Sequence, residues 1–213
     1  MNEPTVFIVD DDAAVRDSLS LLCESAGWPA ECFDSAEAFL AAYRPEQPGC
    51  LLLDVRMPRM SGPQLHEALA RVGRHLPIIY LTAHGDIPMT VRAIRAGAAD
   101  FLTKPVDGAL LIDRVQAAVL SDQETRRHDA MLASQRARLA ELTEREREIM
   151  LLAVAGHCNK VIAKRLGISH RTVETHRSRI LQKTGASSML QLGKLAADCG
   201  FTAKSAPIPR AES

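Results

Sequence analysis

Cys50-Leu51-Leu52-Leu53-Asp54 is the stretch that decides the fold, because four apolar residues run without a break and end at an aspartate. A short continuous apolar run is typical of a strand buried on both faces, as in a parallel sheet covered by helices. Three similar runs flank it, and each ends at a polar residue. They are Val6–Val9 before Asp10, Ile78–Leu81 before Thr82, and Asp100–Thr103 before Lys104.

Amphipathic stretches alternate with these runs, which indicates βα units around a buried parallel sheet. A fifth, shorter strand is predicted around Pro29–Cys32. The pattern predicts an α/β, flavodoxin-like, doubly wound domain with five parallel strands and five helices. The predicted helices are Ala13–Ala26, Ser35–Tyr43, Gly62–Val72, Ile87–Ala96 and one that begins near Gly108.

The polar residues that follow the runs define a candidate site. Parallel strands end at one edge of their sheet, so these side chains are expected to meet in one crevice. Asp10, Asp11 and Asp54 offer the oxygen ligands that Mg²⁺ prefers, and a carboxylate can accept a phosphoryl group. Thr82 and Lys104 are placed to neutralise the other phosphoryl oxygens. Asp54 is the predicted acceptor, because it ends the central apolar strand.

Taken singly, each of these residues has an ordinary explanation. Acidic runs after strands often cap the next helix, and Asp12 is placed to do so before Ala13. Their order along the chain, each at a strand end, makes coincidence a poor explanation. In that order residues 3–121 resemble the receiver domain of two-component response regulators. The resemblance is carried by Val9–Asp11, Leu53–Pro58 with Ser61-Gly62, Leu81–Ala83 and Ala96–Pro105.

The resemblance implies a role for each pocket residue. A sensor histidine kinase would phosphorylate Asp54, and Mg²⁺ would bind Asp10, Asp11, Asp54 and the backbone carbonyl of Arg56. Lys104 would hold the phosphate. Thr82 and Phe101 would form a switch, in which the hydroxyl moves to the phosphate while the ring turns inward. A plain core role for Phe101 remains an alternative.

Charge divides the 213-residue chain, although its formal net charge is zero. Residues 1–121 contain 10 Lys and Arg against 16 Asp and Glu, whereas residues 141–200 contain 10 against 6. This division predicts two domains, the second with an anionic partner. The five cysteines lack CxxC spacing, and no apolar run approaches about 18 residues, so neither a disulfide framework nor a membrane span is expected. A cytoplasmic location is the expectation.

Residues 122–140 join the two halves and contain neither Gly nor Pro. Their helix formers predict a helical linker that extends the last receiver helix. A solvated, partly frayed spacer is an equal alternative, and a coiled coil has little support because the apolar residues follow no clean heptad. The segment 201–213, with Pro207 and Pro209, is predicted to be a disordered tail.

The second half predicts an all-α domain of four helices over residues 141–200. Thr143 and Glu146 form a capping box before the first helix, and Asn159 and Ser169 are predicted to cap the second and third. The turn Leu166–Ser169 joins these two as a helix-turn-helix. The third helix, His170–Thr184, has a basic and hydroxyl-rich face that suits DNA phosphates, although an ordinary solvated face is the alternative.

This half resembles the LuxR-type DNA-binding domain over about residues 140–200. The resemblance is carried by Leu142–Glu148, by Asn159–Arg177 and by Ile180 with Lys183. It implies that bases are faced by Glu174, Thr175 and Ser178. It also implies phosphate contacts from Lys160, Arg171, Thr172, His176, Arg179 and Lys183.

Together the two resemblances identify a FixJ-type response regulator. The implied function is a DNA-binding transcription regulator, which phosphorylation of Asp54 would drive to a homodimer on promoter DNA, most simply as an activator that works with RNA polymerase. An aspartate-nucleophile phosphohydrolase is one alternative. It is disfavoured because Arg56 stands where such enzymes carry their acid/base aspartate. A phosphorylation-independent DNA-binding protein with a scaffold receiver is the other.

Overall fold

The structure, a computed structural model, describes residues 3–73, 76–83 and 97–201. The predicted helix Ile87–Ala96 lies outside these residues, as does the tail after Phe201. By its internal contacts the chain divides into an N-terminal unit, Met1–Arg126, and a C-terminal unit, Arg127–Ser213. No helix in the described ranges is both long enough and apolar enough to cross a membrane.

The N-terminal unit is built on one parallel sheet of five strands in the order β2-β1-β3-β4-β5, which confirms the predicted fold class. The strands are β1 (Thr5–Val9), β2 (Ala30–Phe33), β3 (Gly49–Asp54), β4 (Ile78–Thr82) and β5 (Asp100–Thr103). The described helices of this unit are α1 (Ala13–Ser25), α2 (Ala36–Ala42), α3 (Gly62–Arg71) and α4, which begins at Gly108.

Helices cover both faces of the sheet, because successive strand residues point to opposite sides. Phe7, Leu51 and Leu53 pack on one face with Phe39 of α2 and Leu65 of α3. Val6, Ile8 and Leu52 pack on the other with Leu19 of α1 and with Leu111 and Val115 of α4. Six residues of β3 are buried in succession, and this explains the unbroken apolar run in the sequence.

Helix α4 runs without interruption from Gly108 to Ala140. It therefore includes the residues predicted as a linker, and the division between the two units falls within it, after Arg126. Nearly all of its residues from Arg127 onwards are exposed, but Leu139 is buried among the apolar residues of the C-terminal unit.

The C-terminal unit continues with four short helices, as predicted. They are α5 (Glu144–Val154), α6 (Asn159–Leu166), α7 (His170–Thr184) and α8 (Met189–Asp198). The capping box before α5 is present, since Thr143 and Glu146 each accept from the other's backbone N–H. Gly167 ends α6 in the left-handed conformation at φ 65°, and Ser169 caps α7 through the N–H of Thr172.

The prediction that Asn159 caps α6 is wrong. The capping position is held by Cys158, whose side chain makes no capping bond, and Asn159 is the first helical residue. Its side-chain oxygen instead accepts a hydrogen bond from the guanidinium of Arg177 on α7. A tertiary partner has therefore taken the acceptor that local capping would have used.

Candidate functional site

The strand registers bring the predicted pocket residues to one edge of the sheet. Val9 at the end of β1 lies beside Leu53, so Asp10 follows next to Asp54. Thr82 at the end of β4 pairs with Thr103 of β5, and the backbone N–H of Lys104 donates to the carbonyl of Thr82 at 2.7 Å. Four residues that are far apart in sequence thus end their strands at one level.

Lys104 joins two of the carboxylates at this edge. Its ammonium lies 2.5 Å from Oδ2 of Asp10 and 2.6 Å from Oδ1 of Asp54. Asp10 is 1% exposed and Asp54 7%, so both acids are nearly removed from water. Because a buried carboxylate is costly without a partner, the shared ammonium stabilises the pair.

The pKa values follow from burial and from this sharing. Burial raises the pKa of Asp54, and the hydrogen bonds from Lys104 and from the Arg56 N–H only partly offset it. Burial alone would lower the pKa of Lys104, but its bonds to Asp10 and Asp54 outweigh burial and raise it. Lys104 is therefore positively charged at neutral pH and can bind an anion.

The remaining predicted metal ligands are placed differently. Asp11 is exposed, and among the described residues no three Asp, Glu, His or Cys side chains are grouped closely enough to hold a metal ion. Arg56 turns its backbone N–H to Oδ2 of Asp54 at 2.7 Å. The structure therefore brings together two of the three predicted carboxylates, Asp10 and Asp54. The third, Asp11, follows Asp10 in the chain and is exposed.

The loop after β1 is held by bonds that the sequence did not reveal. The Asp12 N–H donates to Oδ1 of Asp10 at 3.0 Å, and the Arg16 guanidinium donates to the Asp10 carbonyl at 2.8 Å. Asp12 itself accepts from the Ala14 N–H and caps α1, which confirms its ordinary explanation. The Asp12 N–H on Oδ1 and the Lys104 ammonium on Oδ2 together orient the Asp10 carboxylate.

The switch candidates lie on neighbouring strands, Thr82 at the end of β4 and Phe101 on β5. Thr82 is 3% exposed, and Phe101 on β5 is half-buried against the core. The Phe101 ring lies 6.4 Å from the ring of Tyr80, its neighbour on β4. The Tyr80 hydroxyl in turn lies 3.1 Å from Nδ1 of His66 on α3, a contact that the sequence did not suggest.

The C-terminal candidate surface is the outer face of α7 with the start of α6. Val173 and Ile180 of α7 are buried in the core of the unit, which leaves the opposite face to solvent. Three predicted residues are half-buried, namely Thr172, His176 and Lys183. The others are exposed: Lys160, Arg171, Glu174, Thr175, Ser178 and Arg179.

Lys183 has an internal partner. Its ammonium lies 2.7 Å from Oε2 of Glu146, the buried acid of the capping box. Burial would raise the pKa of Glu146, but the bonds from Lys183 and Thr143 outweigh it and lower the pKa below its usual 4.5. Glu146 therefore stabilises the folded unit at neutral pH, and this contribution is lost as the pH falls through its lowered pKa.

Glu146→Gln is expected to lower the free energy of unfolding of the C-terminal unit by about 1–2 kcal/mol at neutral pH, because the capping geometry survives but the charge does not. Hydrogen exchange of the α5 and α7 amides measures the loss. The gap between the two proteins should close in acid, where wild-type Glu146 is also neutral. Glu148→Gln, in an exposed pair with Arg145, should change little. Equal effects of both changes would contradict the prediction.

Both units match known protein families. Residues 6–116 match the response regulator receiver domain, and residues 140–196 match the luxR family of bacterial regulatory proteins. The fold and the site thus define a class, a receiver joined to a helix-turn-helix DNA-binding domain. Receiver domains bind Mg²⁺ at their phosphorylation site and pair with sensor kinases.

Several known proteins are similar to this chain over most of its length. The transcriptional regulatory protein FixJ of Azorhizobium caulinodans is 43% identical over 191 residues, 90% of each chain. The transcriptional regulatory protein TdiR of Thauera aromatica is 46% identical over 88% of this chain and 82% of its own. The solved structure of the response regulator StyR matches with a TM-score of 0.84 at 45% identity, covering 92% of this chain and 98% of that one.

The chain belongs to the FixJ-type response regulators, the DNA-binding transcription regulators of two-component systems. This family consists of transcription regulators rather than enzymes, so the phosphohydrolase alternative is set aside.

Proposed function

We propose that Asp54 accepts a phosphoryl group from a cognate sensor histidine kinase and that this modification controls DNA binding. The observation that carries the proposal is the Lys104 ammonium, held within 2.6 Å of Asp54 and shared with Asp10 at the common strand edge. A carboxylate oxygen attacks the phosphorus of the donor, and the bond from phosphorus to the donor's nitrogen breaks. Lys104 would balance part of the new charge, and the Thr82 hydroxyl would donate a hydrogen bond to a phosphoryl oxygen.

The donor set of the pocket fits Mg²⁺. In the structure one ammonium, that of Lys104, is shared by the Asp10 and Asp54 carboxylates, which leaves one negative charge unbalanced. The hard oxygens of these two carboxylates would hold the ion, and Asp11 and the Arg56 carbonyl would complete the ligand set. When bound there, the ion would neutralise phosphoryl oxygens and orient the donor. Lys104 would then hold a further oxygen of the phosphoryl group, while the Arg56 N–H keeps Asp54 oriented.

Phosphorylation would act by shifting a population between two states of the receiver. The Thr82 hydroxyl moves to the phosphate and Phe101 turns inward beside Tyr80, which favours a receiver surface that forms a homodimer. The predicted helix Ile87–Ala96, part of that surface by resemblance, lies outside the described residues. In the unphosphorylated protein the receiver restrains the DNA-binding domain.

In the dimer, two copies of α7 would enter major grooves about one helical turn, roughly 34 Å, apart. The exposed face of α7 supports this role, because its cations suit phosphates and its short polar side chains suit base edges. Glu174, Thr175 and Ser178 would read bases. The remaining predicted residues would contact phosphates. The Lys183 ammonium already bonds Glu146, so it would have to be shared between Glu146 and a phosphate. We place the protein in the cytoplasm as an activator that works with RNA polymerase.

Incubation of the full chain with Mg²⁺ and acetyl phosphate tests the proposal. We expect one phosphoryl group per chain by intact mass, located on Asp54 by peptide mapping, and a larger particle by light scattering. Selection from a random-sequence duplex pool should then enrich paired half-sites, with affinity at least about tenfold above that of the unmodified protein.

The outcomes separate this proposal from a phosphorylation-independent DNA-binding protein. Selection of the same paired sites with equal affinity, whether or not the adduct is present, would favour that alternative. An adduct on a residue other than Asp54 would contradict the assignment of the acceptor.

A further inference from the structure

An ion pair at the opposite end of β3 from Asp54 has no role in the pocket. Asp122 of α4 is 2% exposed, and its Oδ2 accepts a hydrogen bond at 2.9 Å from the N–H of Gly49, the first residue of β3. The same oxygen lies 2.7 Å from Nε of Arg126, one helical turn further along. Strand β3 therefore begins at this pair and ends at the proposed phosphoacceptor.

Arg126 spreads its remaining donors over the segment before β3. Nη1 donates to the Pro45 carbonyl at 2.6 Å, and Nη2 donates to the Gln47 carbonyl at 3.1 Å. Burial would lower the pKa of Arg126, but its bonds to Asp122 outweigh burial and raise it. The guanidinium thus ties α4 to Pro45 and Gln47, 81 and 79 residues earlier, and the Asp122 carboxylate ties it to Gly49, 73 residues earlier.

This arrangement differs from an ordinary surface pair at the same spacing. Glu67 and Arg71 on α3 are also four residues apart, but their side chains are 64% and 74% exposed, and among the described residues these side chains bond only to each other. The fixed planar fork of Arg126 with the nearly buried Asp122 specifies one orientation of the helix against β3. We call Asp122 and Arg126 the α4 clamp.

The α4 clamp stands at the last residues that belong to the N-terminal unit. The division between the units falls directly after Arg126, and residues 127–131 are all exposed. Among the described residues, no side chain of residues 127–131 makes a hydrogen bond or an ion pair, so backbone hydrogen bonds maintain this part of the helix.

We propose that Asp122 and Arg126 are positioning residues that couple the receiver to DNA binding, which rests on the proposed function of Asp54. The apolar residues of α4, Leu111 and Val115 among them, already pack on the sheet, and the clamp adds directional bonds at the exit of the helix. Through those bonds a displacement at the start of β3 would reach the end of the receiver part of α4. With the clamp intact, the receiver and the first turns of α4 move together. Without it, α4 can shift against β3, and the phosphorylation state of Asp54 no longer sets the state of the DNA-binding domain.

The measured quantity is the coupling ratio, the Kd for a selected DNA site without phosphoryl divided by the Kd with it. For Asp122→Asn we expect this ratio to fall toward one, by about fivefold or more, while the rate of Asp54 phosphorylation stays within about twofold of wild type. Asparagine keeps an acceptor for Gly49 but removes the charge that holds Arg126. Arg126→Met, which keeps the apolar stem and loses the fork, should act in the same way.

Asp129→Asn is the matched control, because Asp129 is exposed on the same helix beyond the clamp. Its coupling ratio should equal that of wild type. Circular dichroism and hydrogen exchange should show folded receivers in all three variants.

Three outcomes would overturn the proposal. In the first, the wild-type ratio is well above one and both clamp variants have the same ratio. That result would remove the coupling role and leave the proposed function of Asp54 intact. A wild-type ratio of one would overturn the proposed function and, with it, the coupling role. An equal fall in Asp129→Asn would show a general effect of charge on the helix rather than of the clamp.

Discussion

Asparagine in place of Asp54 is expected to abolish the phosphoryl adduct completely. The amide has no negative charge to attack phosphorus, and it can no longer form the 2.6 Å ion pair with Lys104. The gain in DNA affinity and the dimerisation that depend on the adduct should disappear with it. Intact mass after incubation with acetyl phosphate and Mg²⁺ measures the first effect, and titration of a selected duplex measures the second.

Asp12→Asn is the matched control at the same edge of the sheet. Asp12 caps α1 by accepting from the Ala14 N–H at 2.9 Å, a role that asparagine fills equally well. This variant should therefore keep the adduct at the wild-type level. A stable adduct on Asp54→Asn would place the acceptor elsewhere, and equal loss in Asp12→Asn would mean that any charge change at this edge disables the pocket.

Alanine in place of Gly62 is expected to destabilise the receiver by about 3 kcal/mol or more. A methyl group at this position would lie 2.3 Å from the backbone carbonyl oxygen of Asp54 and 3.1–3.2 Å from side-chain carbons of Leu53 and Tyr80. The carbonyl belongs to a buried strand and cannot move without displacing the acceptor. Thermal unfolding should show the loss of stability, and the rate of adduct formation should fall with it.

Gly108→Ala is the matched control for this change. Both glycines begin helices, and neither has a positive φ, but a methyl group at Gly108 would meet only the flexible end of Leu22, at 3.3–3.5 Å. Alanine there should be neutral or slightly stabilising, because it is the better helix former. If Gly62→Ala unfolded at the wild-type temperature, the close approach of α3 to Asp54 would not be a constraint.

The strands and the pocket were predictable because each rests on a local pattern. A strand buried on both faces reads as a continuous apolar run, and parallel connection brings the residues that follow such runs to one edge. Asp10, Asp54 and Lys104 are thus brought together by topology, without knowledge of any side-chain contact. The edge strand β2 has exposed residues and a weaker pattern, yet its position was predicted within a residue or two.

The contacts that escaped prediction are those between residues far apart in sequence. The bond from Gly49 to Asp122 spans 73 residues, and that from Lys183 to Glu146 spans 37. Nothing near Asp122 marks it as buried, apart from an arginine four residues later. Asn159 shows how such a contact can override a local signal. The residue type predicted a helix cap, but its side chain accepts a hydrogen bond from Arg177 instead.

The α4 clamp also bears on how receivers of this kind can be recombined. A chimera that joined another output domain after residue 121 would leave Asp122 and Arg126 behind, and the Gly49 N–H would then lack the carboxylate it bonds to here. A junction placed after residue 126 carries the whole receiver with its exit helix intact. The end of this receiver is therefore marked by a side-chain contact, and it lies inside a continuous helix instead of in a loop.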